Sequence, residues 1–271
     1  MKHRAFFIAL MAALAFTFDF SLKAADPGDQ KPVRVVDLQG NPVVDASTAA
    51  TTKPGTAPLK APRLDLYPTT LPLRKGTFIV CPGGAYHFLA TKGEGTIPAD
   101  FLNSQGYDVV LLEYTVGPGD VAARALQDAL ATVKLLQQNG NKLGLDTTTL
   151  GMMGFSAGGH LTARTVHELG AACPFTKVVM IYPAYLDAPN GINDAVKPPL
   201  GAKTQFFVAI GDKDAPGWVA SSKVYVETAK ANGQLAEYHL LPGIPHAFGV
   251  TPGDPPTTAD FKQKLAAFLT R

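Results

Sequence analysis

At 271 residues, with 46% hydrophobic and 17% charged side chains, the chain is ordinary globular material, sized for one larger α/β domain. Its 24 basic and 22 acidic residues leave a net charge of +2 and no basic stripe beyond the first four residues, which argues against nucleic acid as a partner. Two cysteines, Cys81 and Cys173, are too few for a disulfide framework and read as inert buried thiols.

Residues 1–24 read as a cleavable secretory signal. Met1-Lys2-His3-Arg4 is basic, Ala5 to Phe18 is apolar, and Ser21 to Ala25 is rich in small residues. The apolar run ends at Asp19, short of the roughly 18 to 20 residues a membrane span needs. The mature chain is therefore expected to be secreted or periplasmic, with no membrane partner after cleavage. Residues 25–62, rich in proline, threonine, alanine and glycine, read as a loosely ordered N-terminal arm or one lying across the domain, with a single short strand at Pro32 to Leu38.

From residue 63 to 271, short apolar strands alternate with helices. Strands are expected at Arg63 to Tyr67, Phe78 to Cys81, Asp108 to Tyr114, Leu150 to Met153, Lys177 to Tyr182, Gln205 to Ile210 and Glu237 to Leu241. Helices are expected at Thr96 to Gln105, Val121 to Gln138, from Ser156 onward, Trp218 to Ala231 and Thr258 to Leu269. This alternation implies an α/β fold with a mainly parallel sheet and helices on both faces, and ligands in such sheets bind beyond the carboxyl ends of the strands. Neither a G-x-G-x-x-G turn nor a zinc-ligand spacing is present, since His167-Glu168 lacks the second histidine of H-E-x-x-H.

Gly154-Phe155-Ser156-Ala157-Gly158 matches G-x-S-x-G at a strand-to-helix turn, where flanking glycines let a serine hydroxyl stand exposed. Alone, such a serine is as well explained as a helix cap. As a nucleophile it needs a base, with a carboxylate behind that base. Of the six histidines, His246 is the one that follows the last strand, in Pro242-Gly243-Ile244-Pro245-His246. The loop after the strand Gln205 to Ile210 offers two acids, Asp212 and Asp214. The order serine, acid, histidine is the one a doubly wound hydrolase requires. Val80-Cys81-Pro82-Gly83-Gly84-Ala85-Tyr86-His87 supplies a glycine-rich loop, so the oxyanion hole is assigned to the amides of Gly84, Ala85 and Ala157, with Gly83 permitting close approach.

Taken with Glu94-Gly95, Gln127-Asp128-Ala129 and Ile181-Tyr182-Pro183, these motifs resemble α/β-hydrolase esterases of the acetyl-xylan esterase and feruloyl esterase-like type, related to the HGGG carboxylesterases. The resemblance runs from about Leu64 to the C-terminus. It implies an α/β-hydrolase fold, with Ser156 as nucleophile, His246 as base and Asp214 as acid. Asp212 stays as the second choice, because the usual valine about three residues past the acid is displaced here. Glu94 is read as a structural residue placed at the positive end of the helix from Thr96.

The segment Ala184 to Thr204 is short and broken by prolines and glycines, so no large lid is expected. An open cleft suits a short acyl group on a bulky polar alcohol, an acylated carbohydrate or a small ester, with no cofactor or metal required. Tyr86 and His87, with Tyr185 and Trp218, are candidates to line it, although ordinary packing is the commoner role of each such residue taken singly. The competing readings are a generalist carboxylesterase, a serine peptidase of the same fold, and a non-catalytic carbohydrate-binding protein.

Overall fold

The structure, a computed structural model, describes residue 26 and residues 28–43, 62–189, 191–251 and 256–271. The expected signal at 1–24 and the arm from 44 to 61 lie outside the described residues. In chain order the elements are β1 (Arg34–Val36), β2 (Arg63–Tyr67), β3 (Thr77–Cys81), α1 (Ile97–Ser104), β4 (Asp108–Glu113), α2 (Val121–Asn139), β5 (Leu150–Phe155) and α3 (Ala157–Leu169). They continue with β6 (Phe175–Ile181), β7 (Asp187–Ala188), β8 (Gly191–Ile192), β9 (Gln205–Gly211), α4 (Pro216–Ala231), β10 (Ala236–Leu241) and α5 (Pro256–Thr270).

Eight strands form one sheet in the order β1-β2-β4-β3-β5-β6-β9-β10. The pairs β1–β2 and β2–β4 are antiparallel and every later pair is parallel. β3 and β5 are buried along their whole length, as expected of apolar runs covered on both faces, and β2 is buried too, with Arg63 paired to Asp65 and Glu113. Side chains alternate between two cores. Ile79 and Cys81 join a cluster with Ala129 of α2, Leu161 of α3 and Tyr225 of α4, while Phe78 and Val80 join Leu102 of α1 and Phe261 and Phe268 of α5.

At the amino ends of the strands Asp108 has no exposed surface, yet its carboxylate is fully engaged. It accepts the amides of Thr69 at 2.8 Å and Asp146 at 2.7 Å and pairs with Arg74 at 3.1 Å. A buried charge is tolerated when it is satisfied in this way, and here it ties three loops together. The opposite, carboxyl ends are thereby left for chemistry. There Asp128 of α2 accepts the Thr115 amide at 2.8 Å and fixes the turn out of β4.

The described part of the arm is held to the domain: β1 extends the sheet edge, and the Gly28 amide donates to Asp100 at 2.7 Å. Two differences from the sequence reading have local causes. β6 ends at Ile181, one residue early, because Tyr182 takes a φ of 39° and leaves the sheet. The segment from Ala184 to Thr204 holds the small hairpin of β7 and β8, too short to be recognised by periodicity. Among the described residues there is no large lid insertion and no helix long and apolar enough to cross a membrane.

Candidate active site

The turn after β5 is built by close backbone contact. Ser156 sits at φ 50° and ψ −118°, outside the ordinary regions for a residue with a side chain, and α3 begins at the next residue. Such a conformation costs on the order of 1–3 kcal/mol and persists only where its surroundings enforce it. Here the Ser156 amide donates to Ile181 O at 3.1 Å, while Ser156 O accepts the His160 and Ala184 amides at 3.1 Å each. Gly158 lies against the end of β3, where a Cβ would come within 2.0 Å of Cys81 O. That contact explains the second glycine of the motif better than turn geometry does.

The other two functional side chains come from the ends of neighbouring strands. β9 and β10 pair directly, so the loops after them are adjacent. Asp214 is 7% exposed and its Oδ2 lies 2.7 Å from His246 Nδ1. An ionised carboxylate only accepts, so Nδ1 carries the proton and Nε2 is left as an acceptor. Nε2 lies 2.9 Å from Ser156 Oγ, positioned to receive its hydrogen. Asp212, the alternative acid, is exposed and turned away; its Oδ1 accepts the Gly243 amide at 2.7 Å. The ring of His246 is bracketed by Tyr182, 4.8 Å away edge-on, and Trp218, 5.2 Å away.

β3 pairs with β5, so the glycine-rich loop after β3 lies beside the nucleophile. Gly83 approaches so closely that a Cβ there would lie 2.7 Å from Ser156 Cβ and 2.8 Å from Phe155 O. The loop carbonyls are occupied. Pro82 takes the Tyr114 hydroxyl at 2.6 Å, Gly83 the Ala90 amide at 3.0 Å, Gly84 the His87 and Phe88 amides, and Tyr86 the Gly117 amide at 2.9 Å. Ala85 and Tyr86 have φ values of 53° and 62°, which turns the chain sharply after Gly84. Among the described residues the amides of Gly84 and Ala85 have no acceptor, and that of Ala157 is one of the unpaired first-turn amides of α3.

Not every expected residue sits where the sequence suggested. Tyr86 is 6% exposed and does not line an open cleft. Its hydroxyl is hydrogen-bonded to His160 Nδ1 at 2.8 Å and its ring lies behind Tyr185 at 6.5 Å. His87 is exposed on the loop. Burial, with Arg164 nearby, pulls the His160 pKa down to about 4, so this imidazole is neutral at pH 7. Glu94 does not serve the helix dipole as expected. It lies inside a π-helical turn, Lys92–Thr96, and its carboxylate reaches back to the site, accepting the Gly83 amide at 2.6 Å and the Tyr182 hydroxyl at 3.0 Å. Burial pushes its pKa up, against those two hydrogen bonds. Both thiols are free, Cys81 buried and Cys173 half-buried. Among the described residues no three histidine, cysteine, aspartate or glutamate side chains converge on a possible metal position.

Comparison with known proteins agrees with this fold. Residues 79–208 match the family described as alpha/beta hydrolase fold. A segment of 82 residues, 30% of this chain, is 32% identical to an acetylxylan esterase of Xylanibacter ruminicola, and the match spans only 17% of that protein. Among solved structures, an acetyl ester-xyloside bifunctional hydrolase from Caldicellulosiruptor lactoaceticus superposes with a TM-score of 0.68 at 21% identity, covering 90% of this chain and 97% of the other. Carboxyl esterase 2 of Tuber melanosporum superposes with a TM-score of 0.63 at 19% identity, covering 77% and 82%. The chain has the α/β-hydrolase fold, and at the carboxyl ends of its strands Ser156, His246 and Asp214 form the hydrogen-bonded line of a Ser-His-Asp triad.

Proposed function

We propose that the protein is an esterase that removes short acyl groups from an acylated carbohydrate, acting outside the cytoplasm. Ser156 Oγ attacks the ester carbonyl carbon as its proton passes to His246 Nε2, and the imidazolium so formed is stabilised by Asp214. The carbonyl oxygen gains negative charge in this step and is received by the amides of Gly84, Ala85 and Ala157. Collapse expels the alcohol oxygen, which takes the proton from His246 and leaves an acyl-Ser156. Water then attacks the acyl carbon while His246 Nε2 takes its proton, and the acid departs as Ser156 regains its hydrogen.

The observation that carries the substrate class is an aromatic wall leading outward from His246. Trp218 lies 5.2 Å from His246, and Tyr185, 38% exposed and held at φ 57°, lies 5.5 Å from Trp218. Flat aromatic faces pack well on the apolar faces of sugar rings, and a wall beside the base is where the alcohol of the ester would lie. The names of the relatives, an acetylxylan esterase and an acetyl ester-xyloside hydrolase, point the same way.

Release of acid from acetylated xylan, feruloylated arabinoxylan and nitrophenyl acetate is to be measured side by side, with Ser156→Ala as control. Acetate release from the polysaccharide, lost in Ser156→Ala by a factor on the order of 10⁴ or more, is expected. Turnover of the nitrophenyl ester alone would replace the carbohydrate reading with that of a generalist carboxylesterase. Activity retained by Ser156→Ala would overturn the nucleophile.

A further inference from the structure

Glu94 is a carboxylate at the site that the triad does not use. Its two oxygens have separate partners: Oε2 accepts the Gly83 amide at 2.6 Å, and Oε1 accepts the Tyr182 hydroxyl at 3.0 Å. These partners belong to the two halves of the machinery. Gly83 precedes the unpaired amides of Gly84 and Ala85, and a Cβ on Gly83 would touch both Glu94 Oε2, at 2.6 Å, and Ser156 Cβ, at 2.7 Å. Tyr182 presents its ring edge to His246 at 4.8 Å, and it leaves β6 in a left-handed conformation that its own amide bond to Ala209 O, 2.6 Å, helps to hold.

A serine hydrolase needs its oxyanion donors aimed before the charge appears, because preorganised dipoles are not reoriented during the reaction. The Gly84 amide shares its stiff peptide plane with Gly83 O, which the Ala90 amide holds at 3.0 Å. The Glu94 bond holds the preceding plane through the Gly83 amide, so the two bonds together set where the Gly84 amide points. Carboxylate acceptors make short, strong bonds to backbone amides, which suits a loop containing two non-glycine residues at positive φ. Holding a partly buried carboxylate here runs against its desolvation, and burial accordingly pushes its pKa up. Nothing in packing alone calls for a charge at this point.

We propose that Glu94 is a positioning residue for ester hydrolysis, a single carboxylate that sets the oxyanion loop through Gly83 and braces His246 through Tyr182. The proposal rests on the reading of Gly84 and Ala85 as oxyanion donors. It makes the Glu-Gly pair at 94 and 95 a functional feature, since Gly95 lets the turn pack against Leu111 and bring the carboxylate inward.

The test uses the full chain with Glu94→Gln, Glu94→Asp and Tyr182→Phe, assayed with nitrophenyl acetate and with an aryl trifluoromethyl ketone, whose adduct with a serine carries the oxyanion. Gln offers one uncharged acceptor for the Gly83 amide, and its NH2 can only donate, so the bond to the Tyr182 hydroxyl would have to reverse. Glu94→Gln is expected to melt cooperatively near the parent temperature, with kcat lowered roughly 10- to 100-fold, KM changed by less than about threefold, and ketone affinity lowered in step with kcat. Tyr182→Phe keeps the loop anchor and is expected to lose kcat by about three- to tenfold with ketone affinity largely kept. Folded Glu94→Gln with kcat and ketone affinity within about twofold of the parent overturns the proposal. Should Glu94→Gln not fold, the same values in Glu94→Asp and Tyr182→Phe overturn it. Failure of the esterase reading is separately visible, because Ser156→Ala would then retain turnover.

Discussion

Asp212 Oδ1 accepts the amide of Gly243 at 2.7 Å, a bond that joins the loop carrying the acid to the loop carrying the base. Two further backbone bonds follow the same seam, Asp212 N to Leu241 O at 3.0 Å and Lys213 N to Ile244 O at 3.1 Å. Asp214, two residues on, is thereby presented to His246. The two neighbouring acids thus have different work, one stitching the loops and one serving the imidazole.

Asparagine substitutions separate those roles. Asp214→Asn is expected to lower kcat by about 10⁴, because an amide no longer selects the tautomer with Nε2 free. Asp212→Asn loses a charged acceptor on an exposed turn, so about 1 kcal/mol of stability and less than about tenfold in kcat are expected. Steady-state kinetics on nitrophenyl acetate, with thermal melts of both variants, would check this. Equal losses would show that the loop seam, rather than the acid, dominates.

Gly83→Ala probes the close approach of the oxyanion loop. The new methyl would meet Glu94 Oε2 at 2.6 Å, Ser156 Cβ at 2.7 Å and Phe155 O at 2.8 Å. A shift of a few tenths of an ångström is required, with an expected cost of about 1–3 kcal/mol in stability and roughly 100-fold in kcat. A variant as stable and active as the parent would mean that the loop has freedom not seen here.

His160 gives the stability a pH dependence. Its folded pKa, lowered by burial to about 4, lies below the 6.5 of an ordinary histidine. Between these values the unfolded chain binds the extra proton, so stability rises with pH across the window. The contribution is complete above about pH 6.5 and is lost as pH falls toward 4, by an amount on the order of 3 kcal/mol. Urea unfolding at pH 7 and pH 4.5 is expected to show a smaller difference in His160→Gln, whose amide can still meet the Tyr86 hydroxyl. An unchanged difference would assign the acid sensitivity elsewhere.

Tyr185→Ala tests the aromatic wall. Removing an exposed ring at 5.5 Å from Trp218 is expected to raise KM for acetylated xylo-oligosaccharides about tenfold while leaving nitrophenyl acetate within about twofold. A parallel loss on both substrates would place Tyr185 in the packing of the site rather than in recognition.

Strand and helix identities, and the order of nucleophile, acid and base, were readable along the chain because they depend on local pattern: unbroken apolar runs such as β3 and β5, and turns that follow them. The sequence alone also singled out Ser156 and His246. Resemblance alone put Asp214 ahead of Asp212, since both occupy the same turn and only contact with Gly243 and His246, about thirty residues away, points one outward and one inward. Tyr86 looked like a cleft residue until its positive φ and its bond to His160 placed it in the core. Glu94 looked like a helix-end charge until the π-helical turn swung its carboxylate onto Gly83 and Tyr182. In each case the direction of one side chain is set by a backbone conformation and by partners from another strand's end, and those exist only once the sheet has brought the loops together.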